Sequence, residues 1–368
     1  MSWQEMRLGS FLTLKRGYDL PTTLRKEGYV PVVSSSGITG HHNEVKIEGP
    51  GVVTGRCGTL GEVFFLEQDF WPLNTALYVQ DFMGNDPRFS AYFLKSILIG
   101  TTSDKAAVPG VNRNDLHAQK IVVTTDTVEQ KRIASFLSAY DDLIENNRRR
   151  MALLEEAARL LYREWFVYLR FPGYERHRIV DGVPDGWERM TLGELADITM
   201  GQSPESKYYN ELGEGIPFHQ GVADFGDRFV TNRIYTTALN RIACAGDILC
   251  SVRAPVGKLN ITLQKIVIGR GLAALRSRIN HQSLLYYQLR NYFFKEDIIG
   301  TGAIFASVTK REFASQKLLI PPSNLADNFE EITLPIDNQI RLLHLQNQKL
   351  HEARDLLLPR LMNGEITI

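Results

Sequence analysis

Apolar residues follow two different periods along this chain. Short apolar runs at residues 51–54, 62–66, 76–79, 247–251 and 265–268 are bounded by turn residues such as Gly, Pro, Asn and Ser, a pattern typical of β-strands. Two longer stretches instead carry apolar residues three and four positions apart, which predicts long helices that pack through a narrow seam. The pattern therefore predicts β-rich segments, each followed by a long helix.

Both predicted helices carry an asparagine inside a mostly apolar seam, and the second seam also carries Arg354. The seam residues are Leu137, Tyr140, Ile144, Asn147, Met151, Leu154 and Leu161 in the first helix, and Ile336, Ile340, Leu343, Asn347, Leu350 and Leu357 in the second. A polar seam residue costs stability but fixes the register of paired helices, so we expect the two helices to pack on each other. The alternative is two independent amphipathic helices, each covering its own domain.

The ends of the helices also carry signals. Thr127 is interpreted as the N-cap of the first helix. Pro359 is expected to weaken or kink the last turn of the second helix, and Gly364 suits the place where that helix stops.

The chain contains an internal repeat. The segment Trp3-Gln-Glu-Met-Arg-Leu-Gly9 returns as Trp187-Glu-Arg-Met-Thr-Leu-Gly193. Other landmarks follow in the same order in both halves: Gly17 with Gly201, Arg56 with Arg253, and residues 111–122 with residues 308–319. We interpret this as a duplication and predict an α+β fold, in which two β-rich domains are separated by two long antiparallel helices related by a pseudo-two-fold axis.

The predicted boundaries follow from the repeat. They are a first β-rich domain at residues 1–126, a first long helix at 127–170, a linker at 171–186, a second β-rich domain at 187–326 and a second long helix at 327–368.

Composition narrows the class of protein. The 368 residues exceed one ordinary domain, and 43% hydrophobic residues suffice for real cores. No apolar run approaches the length of a membrane span, and the N-terminus lacks the apolar run of a secretory signal, so we expect a cytoplasmic chain without a membrane partner.

The three cysteines form no Cys-x-x-Cys pair, which argues against a disulfide scaffold or zinc site. Basic and acidic residues balance at 42 each, so net charge alone does not indicate nucleic-acid binding.

Catalytic motifs are missing. The sequence has no P-loop, no complete dinucleotide-binding glycine motif, no His-Glu-x-x-His and no Gly-x-Ser-x-Gly. His41 and His42 are adjacent and would face opposite sides of a strand, which disfavours a shared metal. We therefore expect neither catalytic residues nor a metal site.

Four motifs resemble those of the specificity subunits of type I restriction–modification systems, and the resemblance covers essentially the whole chain. They are the Trp-x-x-x-x-Leu-Gly openings at Trp3 and Trp187, Glu129-Gln-Lys-Arg-Ile133, Trp165-Phe166, and Arg354-Asp-Leu-Leu-Leu-Pro-Arg360-Leu-Met-Asn-Gly364.

The resemblance implies a function without catalysis in this chain. Each β-rich domain would be a recognition domain that reads one half of a bipartite, asymmetric site in double-stranded DNA. The helices would set the spacing and dock two modification subunits, which methylate adenine with S-adenosylmethionine. Restriction subunits would add the ATP- and Mg-dependent activities, so no cofactor is expected in this chain.

Candidate DNA contacts are polar residues at repeat-matched or loop-rich positions. They are Ser34, Ser35, Ser36, His41, Arg56, Asn112 and Arg113 in the first domain, and His219, Gln220, Arg253, Lys258, Lys310 and Arg311 in the second.

Two other functions stay open at this point. One is a recognition module of a fused restriction–methylation enzyme whose catalytic part is a separate chain. The other is a tandem β-domain binding or structural protein that dimerises through its helices.

Overall fold

The computed structural model describes residues 3–57, 61–98, 111–295 and 307–368. The chain divides into two compact units. The first unit comprises Met1–Arg149 and Leu343–Ile368, and the second comprises Arg150–Leu342. Each unit contains one β-rich copy and a part of each long helix.

Within the described residues the first copy contains nine strands and three short α-helices, and a long helix follows it. In chain order these are β1 (Trp3–Arg7), α1 (Leu8–Phe11), β2 (Thr13–Arg16), β3 (Val30–Ser34), β4 (Gly37–His42), β5 (Gly51–Gly55), β6 (Val63–Leu66), β7 (Trp71–Pro72), β8 (Ala76–Asp81), α2 (Pro87–Leu98), α3 (Arg113–Ala118), β9 (Lys120–Thr124) and the long helix α4 (Thr127–Tyr162).

Three small sheets organise this copy. One has the strand order β2-β8-β5-β6, the second β4-β3-β7, and the third pairs β1 with β9. All pairs are antiparallel except β3 with β7. The core lies between the first sheet and α2, where Phe11, Phe89 and Phe93 form one aromatic group.

The second copy is preceded by a short hairpin and followed by the other long helix. In chain order its elements are β10 (Ile179–Val180), β11 (Val183–Pro184), β12 (Glu188–Thr191), α5 (Leu192–Leu195), β13 (Ala196–Met200), β14 (Tyr209–Asn210), β15 (Ile216–His219), β16 (Tyr235–Thr236), β17 (Ile242–Ala243), β18 (Ile248–Ser251), β19 (Leu259–Ile261), β20 (Ile266–Ile268), β21 (Leu272–Ser277), α6 (Gln282–Lys295), α7 (Lys310–Ala314), β22 (Lys317–Ile320) and α8 (Ser323–Met362).

The sheet topology of the second copy repeats that of the first. The order β13-β21-β18-β19 corresponds to β2-β8-β5-β6, and β12 pairs with β22 as β1 pairs with β9. The parallel pair β15–β20 corresponds to β3–β7, within a five-stranded sheet of order β14-β16-β15-β20-β17. The predicted duplication and α+β class are therefore confirmed.

The long helices differ slightly from their predicted bounds. A π-helical turn, Arg163–Val167, continues α4, while α8 begins at Ser323, upstream of the predicted residue 327. The predicted N-cap is wrong by one residue: the Asp126 carboxylate accepts a hydrogen bond from the Val128 amide at 2.9 Å, and Thr127 is already helical. An ionised acceptor at the helix start caps as well as a hydroxyl does.

The second long helix, α8, continues through Pro359 and ends at Met362. Gly364 follows with φ +76°, the left-handed conformation expected where a helix stops.

The two long helices contact each other within each unit, and they run antiparallel. In the first unit Asp141 contacts Arg354, and the Ile144 carbonyl accepts a hydrogen bond from Asn347 at 3.1 Å. In the second unit the Tyr162 and Phe329 rings lie 6.1 Å apart. Residue numbers rise on one helix as they fall on the other, as in an antiparallel pair.

All the predicted seam residues are buried or half-buried. The buried ones are Leu137, Ile144, Asn147, Ile340, Leu343 and Asn347. The half-buried ones are Tyr140, Met151, Leu154, Leu161, Ile336, Leu350 and Leu357. The two seam asparagines meet, since the Asn147 amide donates to the Asn347 carbonyl oxygen at 2.9 Å.

Candidate nucleic-acid interface

In the second unit, several loops meet at one end of the sheets. β15 and β20 are parallel and therefore end together, and the antiparallel partners β13 and β18 end beside the start of β21. We call the loops that follow β13, β15, β18 and β20, together with the start of α7, the second rim.

Backbone hydrogen bonds tie these loops together. The Gly269 amide donates to the His219 carbonyl at 2.8 Å, and the Gly271 amide to the Gln220 carbonyl at 3.1 Å. The start of α7 joins the same rim, because the Val308 amide donates to the Val252 carbonyl at 2.9 Å. Loops fixed in this way can hold side chains in one geometry.

The second rim is polar and positively charged. Two of its exposed cations are paired, Lys207 with Glu205 and Arg233 with Asp224. Its other exposed cations are Arg253, Lys258, Arg270, Lys310 and Arg311. In the part of the chain that the structure describes, none of these five forms an ion pair with a carboxylate. Gln220 is exposed beside them and accepts a hydrogen bond from Ser203 at 2.8 Å. Unpaired cations next to amide and hydroxyl groups are the chemistry that binds phosphates and base edges.

The first unit has an equivalent set of loops. The first rim comprises the loops that follow β2, β3, β5 and β7, together with the start of α3. The Leu73 amide donates to the Val33 carbonyl at 2.8 Å, and the Val111 amide to the Arg56 carbonyl at 2.8 Å. These bonds match those at Gly269 and Val308, so the two rims are built alike. The first rim is less basic, with Arg56 half-exposed and Arg113 exposed.

The repeated glycines Gly17 and Gly201 have the same role in the two rims. A Cβ on Gly201 would overlap the Gly269 carbonyl oxygen and lie 2.8 Å from that of Ile268. A Cβ on Gly17 would overlap the Leu73 carbonyl oxygen in the same way. Each glycine therefore permits a close backbone approach that closes its rim.

The sequence of this chain matches a known protein family over most of its length. The family model for the type I restriction modification DNA specificity domain matches residues 1–156 and 184–352 of this chain. The chain belongs to the type I restriction–modification specificity-subunit family. The two matched segments each contain one rim.

Individual relatives agree with this family assignment. The chain is 30% identical over 294 residues to the putative type I restriction enzyme MjaX specificity subunit of Methanocaldococcus jannaschii, an alignment that covers 77% of this chain and 69% of that protein. The MjaVIII specificity subunit of the same organism is 23% identical over 409 aligned residues, covering 100% and 93%. The crystal structure of the S subunit of a type I system from M. genitalium has the same fold, with a TM-score of 0.64 at 19% identity over 98% of this chain and 96% of that one.

Ten of the predicted DNA contacts of this specificity-subunit chain lie on the rims with exposed or half-exposed side chains. They are Ser35, Ser36, Arg56, Asn112 and Arg113 on the first rim, and Gln220, Arg253, Lys258, Lys310 and Arg311 on the second. Asn112 also has a structural role, because its side chain accepts a hydrogen bond from the Asn114 amide and caps α3.

The other three predicted contacts do not lie exposed on a rim. Ser34 is buried, and its hydroxyl donates to the Gly37 carbonyl in the turn after β3. His41 is exposed but pairs with Pro31, at the opposite end of the hairpin from the first rim. His219 is fully buried beside Asn232 and Asp224, and burial lowers the pKa of its imidazole below the usual range. A buried, neutral histidine cannot reach DNA in this conformation.

The repeat match between Arg56 and Arg253 is wrong by one residue. Val111 donates to the Arg56 carbonyl, whereas its equivalent Val308 donates to that of Val252. Arg253 therefore occupies the position of Cys57. Because neighbouring side chains on a strand point to opposite faces, Arg253 is exposed while the Arg56 Nε donates to the Asn74 carbonyl at 3.1 Å.

Two residues of the second rim, Ser203 and Arg270, were not among the predicted DNA contacts. Ser203 Oγ accepts from the Arg270 amide at 3.2 Å and so joins the loops after β13 and β20. The signal for Arg270 was its position between Gly269 and Gly271, directly after an apolar run. A cation between two glycines after a strand is typical of an exposed turn.

Other arginines of the second domain have structural partners. Arg233 pairs with Asp224, Arg276 with Asp247 and Arg278 with Asp197.

Among the described residues no group of three or more His, Cys, Asp or Glu side chains could hold a metal ion. No helix within the described ranges is both long and apolar enough to cross a membrane.

Proposed function

We propose that this chain selects the DNA site of a type I restriction–modification complex and that each rim reads one half of a bipartite, asymmetric sequence. The observation that carries the proposal is the second rim, where five exposed cations without an ion pair among the described residues share a set of loops with the exposed Gln220. The construction of the first rim in the same way, at the equivalent loops, supports two reading sites in one chain. Their different side chains support an asymmetric target.

The proposal assigns a second role to the long helices, which set the gap between the half-sites and dock two modification subunits. Exposed apolar side chains on both helices support a protein-binding role. They are Phe136, Leu143, Leu153 and Leu160 on α4, and Ile332, Leu334, Leu342, Leu345 and Leu356 on α8. Side chains of this kind, left in water on long helices, suit a protein partner.

The proposed division of labour assigns chemistry to the partners. The modification subunits would use S-adenosylmethionine to methylate adenine, and the restriction subunits would use ATP and Mg²⁺ to translocate and cut DNA. This chain would contribute sequence choice alone. Because the proposed substrate is cellular DNA, we place the complex in the cytoplasm.

Deletion of this gene is expected to erase one bipartite methylation motif. The chain is co-expressed with the modification subunit proposed as its partner, and methylated adenines are mapped by sequencing genomic DNA. We expect two short specific segments separated by an unread gap, present only when both proteins are present. A methylation pattern that is indifferent to the deletion would contradict the proposal and favour a tandem binding protein with another ligand.

Replacing Arg253 with alanine is expected to weaken binding of the complex to its cognate site by about 1–3 kcal/mol if the guanidinium reads a base. Affinity is measured on the cognate duplex and on duplexes changed at single positions of each half-site. Loss should concentrate on one position of one half-site.

Lys265→Ala is the matched control for Arg253→Ala. Lys265 is exposed at the start of β20, at the opposite end of that strand from the second rim. Its removal lowers the net charge equally but should leave sequence preference unchanged. If Arg253→Ala binds all duplexes as the unaltered chain does, Arg253 does not read DNA.

A further inference from the structure

Both units contain a tyrosine that hydrogen-bonds a long helix from the recognition domain. Tyr92 donates its hydroxyl to Asp141 at 2.5 Å, and Tyr287 donates to Asp337 at 2.9 Å. Tyr92 and Tyr287 are the sixth residues of α2 and α6, and Asp141 and Asp337 are the fifteenth residues of α4 and α8. The contact is therefore duplicated with the fold.

An arginine completes each contact, but it comes from a different place in each unit. In the first unit Arg354 of α8 binds Asp141. In the second unit Arg228, from a loop of the recognition domain, donates to Asp337 at 2.6 Å and also binds Glu155 of α4. We call each set of Tyr, Asp and Arg a latch.

The second latch is shielded from water, and the first is shielded except at Asp141. The Tyr92 and Tyr287 side chains are buried, and the arginine side chains are only 11% exposed for Arg354 and 7% for Arg228. Burial and the neighbouring aspartate raise the pKa of the Tyr92 hydroxyl above its usual range, so it remains a hydrogen-bond donor. Charge-assisted hydrogen bonds in such surroundings are stronger and more directional than neutral ones.

A short mechanical path connects each latch with its rim. In the first unit α2 packs against β5, and β5 ends at Gly55, directly before Arg56 on the first rim. In the second unit α6 packs against β21, which starts on the second rim. The orientation of each tyrosine helix on its long helix therefore sets the orientation of the rim.

We infer that Tyr92 and Tyr287 are positioning residues which, through Asp141 and Asp337, hold each recognition domain in one orientation on the long helices and so restrict the complex to one gap length between half-sites. This inference rests on the proposed function. One base pair occupies about 3.4 Å along the DNA axis. A domain that tilts until its rim moves by a few ångströms therefore accepts a half-site displaced by one base pair.

The test compares the chain with its Tyr92→Phe and Tyr287→Phe variants, each in complex with the modification subunit. Methylation is measured on duplexes with the cognate gap, a gap one base pair shorter and one longer, and with single changes in each half-site. Each variant should lose about tenfold of its discrimination against the wrong gaps, the factor that corresponds to one hydrogen bond to a charged group. Loss of base discrimination should be confined to the half-site read by the altered domain.

Tyr286→Phe is the matched control. Tyr286 is buried next to Tyr287, and among the described residues its hydroxyl makes no hydrogen bond. Its removal should leave gap discrimination unchanged. If Tyr287→Phe yields no folded complex, Tyr92→Phe decides, since its partner Asp141 is 37% exposed and tolerates the loss better.

Three outcomes separate this inference from the proposed function. Absence of any bipartite motif with the unaltered chain overturns the proposed function itself. A bipartite motif that both variants read with unchanged gap and base discrimination overturns the latch inference alone. An equal fall in methylation at every gap and sequence assigns the tyrosines to stability only, which also overturns it.

Discussion

Replacing Arg228 with methionine is expected to lower the free energy of unfolding by about 3–5 kcal/mol, the cost of leaving buried charges without their partner. Arg228 binds Glu155 on α4 and Asp337 on α8, and its guanidinium lies 4.5 Å from the centre of the Tyr286 ring. Methionine keeps most of the apolar stem but is shorter and supplies no charge. Glu155 retains Arg290 as a partner, so most of the loss falls on Asp337.

The measurement is chemical and thermal unfolding of the purified chain or its complex. For a unit of roughly 200 residues, a loss of this size corresponds to a fall in the melting temperature of about 10 °C. Burial alone would lower the pKa of Arg228, but the surrounding carboxylate and aromatic groups raise it, so the guanidinium remains charged at every pH of the experiment.

Arg278→Met is the matched control, because Arg278 also pairs with an aspartate but is half-exposed, as is its partner Asp197. An exposed pair contributes about 0–1 kcal/mol, so the control should unfold almost as the unaltered chain does. Adding Asp337→Asn to Arg228→Met should recover part of the loss, since it removes the orphaned charge. Equal effects of the two arginine substitutions would contradict the assignment of Arg228 as a buried structural cation.

Local patterns in the sequence predicted the helices and the duplication well, for physical reasons. The three–four spacing of seam residues such as Ile144 and Leu343 depends only on helix geometry, which is set by neighbours in the chain. The repeat survives at Gly17 and Gly201 because no other residue allows the backbone approach at each rim. Signals of this kind are local and can be found without a structure.

Long-range contacts were beyond sequence reasoning. No local pattern marks Arg228 as buried, because its burial depends on Glu155 and Asp337, which lie far away in the chain. His219 looked like a loop residue after a strand, but β15 carries it into the interior beside Asn232. The equivalence of Arg253 and Cys57 depends on strand register, which a one-residue slip reverses and which short motifs do not define.

The candidate DNA contacts divide along the same line. Arg253, Lys310 and Arg311 were predicted from the repeat. They lie on the second rim because the duplicated domains have loops at matching positions. Arg270 and Ser203 join that rim only through the parallel pairing of β15 with β20. Parallel pairing brings together the carboxyl ends of strands that are distant in sequence.

Replacing Gly201 with alanine is expected to lower the free energy of unfolding by about 3 kcal/mol, at the upper end for an overpacked site. The added Cβ would overlap the Gly269 carbonyl oxygen, and because that atom belongs to the backbone, the turn after β20 must move. The same turn carries Arg270 and donates the Gly271 amide to Gln220, so its movement should also disrupt the second rim. We therefore expect methylation of the cognate site to fall at least about tenfold, the factor that corresponds to roughly 1.4 kcal/mol of lost binding.

Gly221→Ala separates the close approach at Gly201 from a general effect of removing a glycine in these loops. Gly221 has φ −172°, an extended conformation open to any residue, and a Cβ there would meet nothing within 4 Å. Its unfolding should therefore be unchanged or slightly improved, since alanine reduces the freedom of the unfolded chain. If Gly201→Ala unfolds like Gly221→Ala, the approach of β13 to the turn after β20 is looser than the structure indicates. In that case the repeated glycines do not explain how the two rims close.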